Sequence, residues 1–310
     1  MKKLLLIAAF AATVAQNIFA QTPCVMRRHG DKITLFSDYN ENGSSLQAAV
    51  DSCEDGDILY LNKGAFHNGN DLNIKKAITI IGVGAEDGSV IKSSSVNISY
   101  NGTGITTFSG IKFTGRVTFS NTTNLKKCSI LDFIYCKANT TTMVENCWIN
   151  EFHNGGNQGT NYNSNMLVQN CIINRQLSYF SVNTSHQHKF INCYFNNGIK
   201  QCYGNFNQCI IASSLAQTTG FFSNCLFLFD ESATTIANAA ECIFDSSITM
   251  DDITPELLAE KGYLGSDGTI IGAYGGIKPY TLTTAGMVTS ATVAVDNERQ
   301  ELNVKLKTKQ

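Results

Sequence analysis

Along most of the chain, apolar residues return in a short frame instead of at helical spacing. An apolar residue is followed three positions later by Cys or Ile, and two positions after that by a second apolar residue. The frame is carried by Phe108/Ile111/Phe113, Leu125/Cys128/Ile130, Val144/Cys147/Ile149, Val168/Cys171/Ile173, Phe190/Cys193/Phe195, Phe206/Cys209/Ile211, Phe222/Cys225/Phe227 and Ala239/Cys242/Phe244. Its central residues lie 17, 19, 24, 22, 16, 16 and 17 positions apart. A repeat of this length, built of strands with no helical pattern, predicts a β-solenoid, in which each coil buries its apolar face only by stacking on its neighbours.

The last two apolar positions of the frame are two apart and share one strand face. The first stands three before the centre, an odd step that one straight strand cannot place on that face, so a bend is expected between them. The residue just before the cysteine is Asn in four coils, at Asn146, Asn170, Asn192 and Asn224. Asn tolerates the left-handed backbone a sharp corner needs, and an asparagine ladder, amide bonded to amide, is predicted at this corner. The cysteine after it is small, easily buried and points inward.

Seven of the eleven cysteines (Cys128, Cys147, Cys171, Cys193, Cys209, Cys225 and Cys242) share this central position. Stacked coils lie about 4.8 Å apart, within disulfide reach by Cα distance, but parallel side chains in register point the same way. The reading is a ladder of buried free thiols, with disulfide pairs as the alternative. No CxxC pair or His partner accompanies these cysteines, so no metal site is expected. Cys24, Cys53, Cys136 and Cys202 fall outside the frame.

Composition adds an address. A cationic start at Lys2 and Lys3, an apolar run from Leu4 to Val14 and small residues before Gln21 make residues 1–20 a secretory signal peptide, and no later run is long enough to span a membrane. Secretion to the periplasm, cell surface or medium is therefore expected, with no lipid anchor, since Gln21, Thr22 and Pro23 precede the first cysteine. Formal net charge is -2 with 15% charged residues, which argues against nucleic acid as a partner. Three prolines against 25 glycines fit many strands and tight turns.

Two sets of outward residues carry candidate chemistry. Between the cysteine and the last apolar position the coils read Trp148, Ile172, Tyr194, Ile210, Leu226 and Ile243, an apolar stripe about 24 Å long at that coil spacing. The stripe is covered by the chain itself, with the two alternating strands of "SATVAVDNERQELNVKLKTK" as the suggested cover, or it is a subunit contact, or it is a sugar-stacking platform using Trp148 and Tyr194. Four positions after the cysteine stand Glu151 and Arg175, in register on adjacent coils, with His153 nearby and His186 and His188 in the loop entering the next strand. A carboxylate, a guanidinium and imidazoles on one side are the parts of an acid-base site; the competing reading is a surface ion pair with solvated histidines.

"SLQAAVDSCEDGDILYLNKGAFHNGNDLNIKKAITIIGVG" (45–84) resembles the beginning of pectin-lyase-like right-handed parallel β-helix proteins, where a short capping helix leads through Gly-Asp into the first coil. Ser44 and Gln47 have capping-box spacing, and Leu46, Ala49 and Val50 share a helical face. "YLGSDGTIIGAYGGIKPYTL" (263–282) is similar to the closing segment of secreted bacterial members. The expected fold is all-β, a single-stranded right-handed parallel β-helix with an N-terminal helical cap and a C-terminal β segment. Its parts are the N-terminal region 21–57, coils 58–250, a short helix and closing segment 251–282, and a hairpin or tail 283–310. In the helix of 251–282, Thr254 before Pro255 is the expected cap.

The resemblance carries no catalytic set. "CWINEFH" (147–153) has Asn150 where the Trp-Ile-Asp-His phrase of pectate lyases has Asp, and the Asn-Thr-Asp, paired Asp, Gly-His-Gly and Arg-Ile-Lys of polygalacturonases are missing from the coils. The leading reading is a secreted non-catalytic protein binding glycan or a cell-surface partner, with Trp148, Tyr194, His186 and His188 as binding residues. The alternatives are a divergent polysaccharide lyase or glycoside hydrolase using Glu151, Arg175 and His153, and a structural or adhesin-like surface protein. No cofactor is expected, and calcium enters only under the lyase reading. The sequence sets no oligomeric state.

Overall fold

The computed structural model describes residues 23–36, 44–67, 71–86, 88–137, 141–154, 165–180, 188–213, 215–230, 236, 238–282, 287–296 and 301–309. The expected signal peptide, 1–20, and His186 lie outside them. Successive coils stack as parallel strands in register, forming the parallel β-solenoid that the spacing predicts.

Each coil presents up to three faces. The first, before the Asn corner, is a sheet that includes Thr141–Glu145, Asn165–Gln169, His188–Ile191 and Tyr203–Asn207, with an antiparallel pair, Val25–His29 and Lys32–Phe36, at its N-terminal end. The second, just after the cysteine, includes Tyr194–Phe195, Ile210–Ile211 and Leu226–Phe227. The third includes Leu72–Ile74, Ser95–Ile98, Arg116–Phe119, Ile199–Lys200 and Leu215–Ala216. In three central coils one strand makes both the second and third faces: Ser129–Cys136, Trp148–Asn154 and Ile172–Ser178. Their pairing slips between Ile130 and Phe133 and again between Ile149 and Glu151. Such bulges bend a strand and re-aim its side chains.

The corner before the cysteine is left-handed in all eight frames. Gly110, Lys127, Asn146, Asn170, Asn192, Gln208, Asn224 and Glu241 have φ between 50° and 66°. Asn suits this conformation; for Lys, Gln and Glu it costs about 1–2 kcal/mol, which coil stacking must offset. Each cysteine then turns into the core. Six of the seven are fully buried, with only Cys242, in the last coil, half-buried, and all eleven cysteines are free thiols. The thiols of Cys128, Cys147, Cys171 and Cys193 donate to the carbonyls two residues earlier, at Lys126, Glu145, Gln169 and Ile191. Phe190, Phe206 and Phe222, the first frame positions of three coils, stack at 4.8 Å with rings 10° from parallel, matching the strand spacing.

The asparagine ladder forms three positions after the cysteine, not before it. Asn174 donates to Asn150 at 3.2 Å and Asn196 to Asn174 at 3.3 Å. The corner amides bind the closing segment instead: Asn170 Nδ2 donates to the carbonyls of Ala273 and Gly275, and Asn146 Oδ1 accepts from the Thr281 backbone N–H. The corner side chains project outward, where the closing segment runs across them.

That segment covers the outward stripe. Tyr194, Ile210 and Leu226 are buried with Leu258, Ile271 and Ala273 in a second apolar cluster, separate from the solenoid core. The cover over these residues includes the chain itself at Ile248–Tyr280; the C-terminal strands pair with each other as an antiparallel hairpin, Met287–Asp296 with Glu301–Lys309. Gly272 is required here, since its φ is 93° and a Cβ on it would stand 1.9 Å from the Tyr194 ring. Thr254 caps the helix Pro255–Glu260, accepting from the Leu257 N–H at 3.1 Å. Near the N-terminus, the helix Ser44–Ser52 buries Leu46, Ala49 and Val50. The Gln47 amide exchanges two bonds with the backbone of Asn73 in the first coil.

Candidate functional site

The bulged coils assemble the charged residues. Counting from the cysteines places Glu151 beside Arg175, but the slip puts Gln176 opposite Glu151, leaving Asn174 and Arg175 in the bulge opposite Asn150. In the preceding coil the opposite slip leaves Leu131 and Asp132 in the bulge. Asp132 and Arg175 thus flank the Asn150–Glu151 corner from coils on either side.

Glu151 and His153 project from the third face of the strand Trp148–Asn154. Glu151 Oε1 accepts from Arg175 at 3.4 Å, and its Oε2 lies 3.1 Å from His153 Nε2. On the other side of the ring, His153 Nδ1 lies 2.6 Å from Ser178 Oγ, its register partner in the next coil. A carboxylate only accepts, so the ring donates Nε2–H to Glu151, and in its neutral form Nδ1 accepts a hydrogen bond from the Ser178 hydroxyl. Ser178 is fully buried, so it positions His153 and offers no nucleophile to a ligand. Phe133 packs its ring edge-on against His153 at 5.6 Å, and Arg116 lies over Phe133 at 5.7 Å.

Asp132 differs from its neighbours electrostatically. Burial first, and then the charge of Glu151, push its carboxyl above the ordinary range, against the pull of Arg116 and His153. A cleft of about 400 Å³ opens at Glu151 and Arg175, lined also by Gln176, Asn197, Lys200 and Ala216 among others. Arg175 is 65% exposed and Glu151 28%, so their ion pair contributes little stability, at most about 1 kcal/mol.

The sequence-predicted residues divide sharply. Glu151, Arg175 and His153 come together. Trp148 lies half-buried on the second face, away from the cleft. Tyr194 is 3% exposed, its ring edge-on to Tyr274 at 5.6 Å, and offers no face to a sugar. His188 is not in a surface loop: it begins the strand His188–Ile191, is fully buried and meets the edge of Phe180 at 5.1 Å. Asp132, Ser178 and Lys200 join the site without having been singled out. Their signal lies in the inward residues, which are three apart at Ile149 and Phe152 but four apart at Ile130 and Ile134; that mismatch marks the bulge. Among the described residues, no group of three or more His, Cys, Asp or Glu side chains is placed to hold a metal ion.

No protein-family model, curated protein or solved structure matches this chain.

Proposed function

We propose that this chain is a secreted right-handed β-helix protein, of the pectin-lyase-like kind, that binds glycan in the cleft at Glu151 and Arg175. The carrying observation is an open cleft that sets a carboxylate, a guanidinium, two amides and the Lys200 ammonium around one volume. Carboxylate and amide groups bond sugar hydroxyls, and the two cations suit acidic groups on the same chain. The apolar stripe does not support the reading, because the closing segment occupies it. The test is co-sedimentation of the mature chain, from Gln21 onward, with a panel of acidic and neutral insoluble polysaccharides. Binding that Arg175→Ala weakens about tenfold or more, the loss of a charge-assisted hydrogen bond, supports the proposal; binding indifferent to Arg175→Ala and Glu151→Gln sinks it.

One observation favours a second reading, cleavage of the bound chain. Asp132, its carboxyl raised first by burial and then by the charge of Glu151, stands near that second carboxylate, and a pair of carboxyl groups is the pairing used in acid-base cleavage of glycosidic bonds. New reducing ends that vanish in both Asp132→Asn and Glu151→Gln would establish it, and binding without new ends would reject it.

A further inference from the structure

The 12-stranded sheet of the first face ends in two unlike edges. At the C-terminal end of the solenoid the edge is Ala239–Ala240, only two residues long. At the N-terminal end it is Lys32–Phe36, five residues long. A short edge is protected, whereas a longer one presents a row of backbone groups on which another chain can pair. On this longer edge Ile33 and Leu35, both large and apolar, are 63% and 52% exposed.

The hairpin fixes which backbone groups the edge offers. Val25–His29 and Lys32–Phe36 are joined by a two-residue turn, Gly30 and Asp31, with φ 55° at Gly30. In such a hairpin the flanking pair, His29 and Lys32, exchanges both backbone bonds, and bonded pairs then alternate with unbonded ones. Lys32, Thr34 and Phe36 therefore bond to the first strand, while the N–H and C=O groups of Ile33 and Leu35 point away from the sheet. The other side of the first strand has the matching phase. There the Asn62 N–H donates to the Cys24 carbonyl, so positions 24, 26 and 28 bond toward the coils and 25, 27 and 29 are left for the hairpin.

The outward groups are complementary to themselves. Two copies of the strand laid antiparallel about Thr34 set Ile33 of each opposite Leu35 of the other. Both pairs are then of the bonded kind, giving four backbone hydrogen bonds, with the two apolar pairs side by side on one face. Lys32 falls opposite Phe36, so no like charges meet. A register shifted by two residues either way keeps one such pair in place of two.

We infer that the edge Lys32–Phe36 is the contact for a second copy of this chain, the two strands pairing antiparallel about a two-fold axis at Thr34 and joining two solenoids at their N-terminal ends. A contact of this symmetry uses the same patch on both copies and closes at two. Five residues a side, against the roughly 20–30 of a stable interface, make the expected dimer weak and reversible.

The test is sedimentation equilibrium of the mature chain, from Gln21 onward, at concentrations from roughly 1 μM to 1 mM. The weight-average mass is expected to rise from one chain toward two and to go no further. Leu35→Pro removes an outward N–H that the hairpin does not use, a change that edge strands tolerate, and should weaken association about tenfold or more while thermal melting is unchanged. A charge exchange gives the same reading without proline. Ile33→Lys with Leu35→Lys in one chain, and Ile33→Glu with Leu35→Glu in another, should each stay monomeric alone and associate one to one when mixed, because the register sets each position 33 against a position 35. A single-chain mass for the wild type at every concentration would overturn the inference, as would assembly beyond two chains, a dimer indifferent to both kinds of variant, or a charge-exchanged mixture that stays monomeric.

Discussion

In the central coils the second and third faces are consecutive stretches of the same strands, yet one is roofed by the chain and the other stands open. The outward residues of the second face are apolar, and Tyr194, Ile210 and Leu226 disappear beneath the closing segment. Burying side chains of this size yields about 1.5–3 kcal/mol each, which offsets part of the entropy lost in ordering the segment over them. The outward residues of the third face are polar, among them Glu151, His153, Gln176 and Lys200. Roofing them would strip water from charges without returning partners for all of them, which costs more than it returns. In these coils a bulge separates the two faces. Before it, alternation places Trp148 and Ile172 outward; after it, the same alternation presents Glu151 and Gln176.

Four perturbations sharpen the contrast, the largest first. Phe206→Ala removes the middle ring of the Phe190–Phe206–Phe222 stack beneath both faces, and should destabilise the whole solenoid by about 3–5 kcal/mol in a denaturant titration. Gly272→Ala places a methyl against Tyr194 at a left-handed backbone position and should cost about 1–3 kcal/mol. It should also raise binding of a hydrophobic dye, by unseating the closing segment from the stripe, while glycan binding at the third face persists. Asn170→Ala deletes the two bonds to the Ala273 and Gly275 carbonyls and leaves a buried corner, for a loss of about 1–3 kcal/mol with the same dye response.

The smallest effect is in acid. Burial works against the Glu145 carboxylate, but Lys278 of the closing segment and Lys126 hold its pKa below the ordinary glutamate value. A lowered folded pKa contributes stability that is fully present above the unfolded value, about 4.3, and is lost as pH falls through the folded value. Thermal melts should therefore show the wild type losing stability below about pH 4.3, and Glu145→Gln should flatten part of that slope. A slope unchanged in the variant would detach Glu145 from the seating of the closing segment.

Much of the fold was legible because it repeats. The frame places one residue per coil inward, and the buried cysteine ladder follows from counting. The left-handed corners were legible where Asn occupies them and not at Lys127, Gln208 and Glu241, whose chemistry does not favour that conformation and which adopt it because the stack above and below requires it. The amide ladder was misplaced by four residues. Its true signal, the Asn of "CWIN", "CIIN" and "CYFN", stands in the same three coils, but the corner Asn drew the attention because its backbone role is the stronger one. Of the site, Glu151, His153 and Arg175 were legible from register. Asp132 was not, because it joins the cluster through a bulge, which shifts the pairing without changing the residue types. Tyr194 read as a surface group because alternation says which side a residue points to, and not what comes to lie on it; His188 did so because the strand begins one turn of alternation earlier than expected, which points it inward with Phe190.

We place ligand binding on the open third face and not on the roofed second one. The most direct test compares two single variants, Arg175→Ala in the cleft and Trp148→Ala at the edge of the stripe, by affinity for whichever polysaccharide the wild-type chain retains. A loss of about tenfold or more is expected for Arg175→Ala, and no change for Trp148→Ala. Binding that survives Arg175→Ala and falls with Trp148→Ala would contradict it and return the function to the stripe.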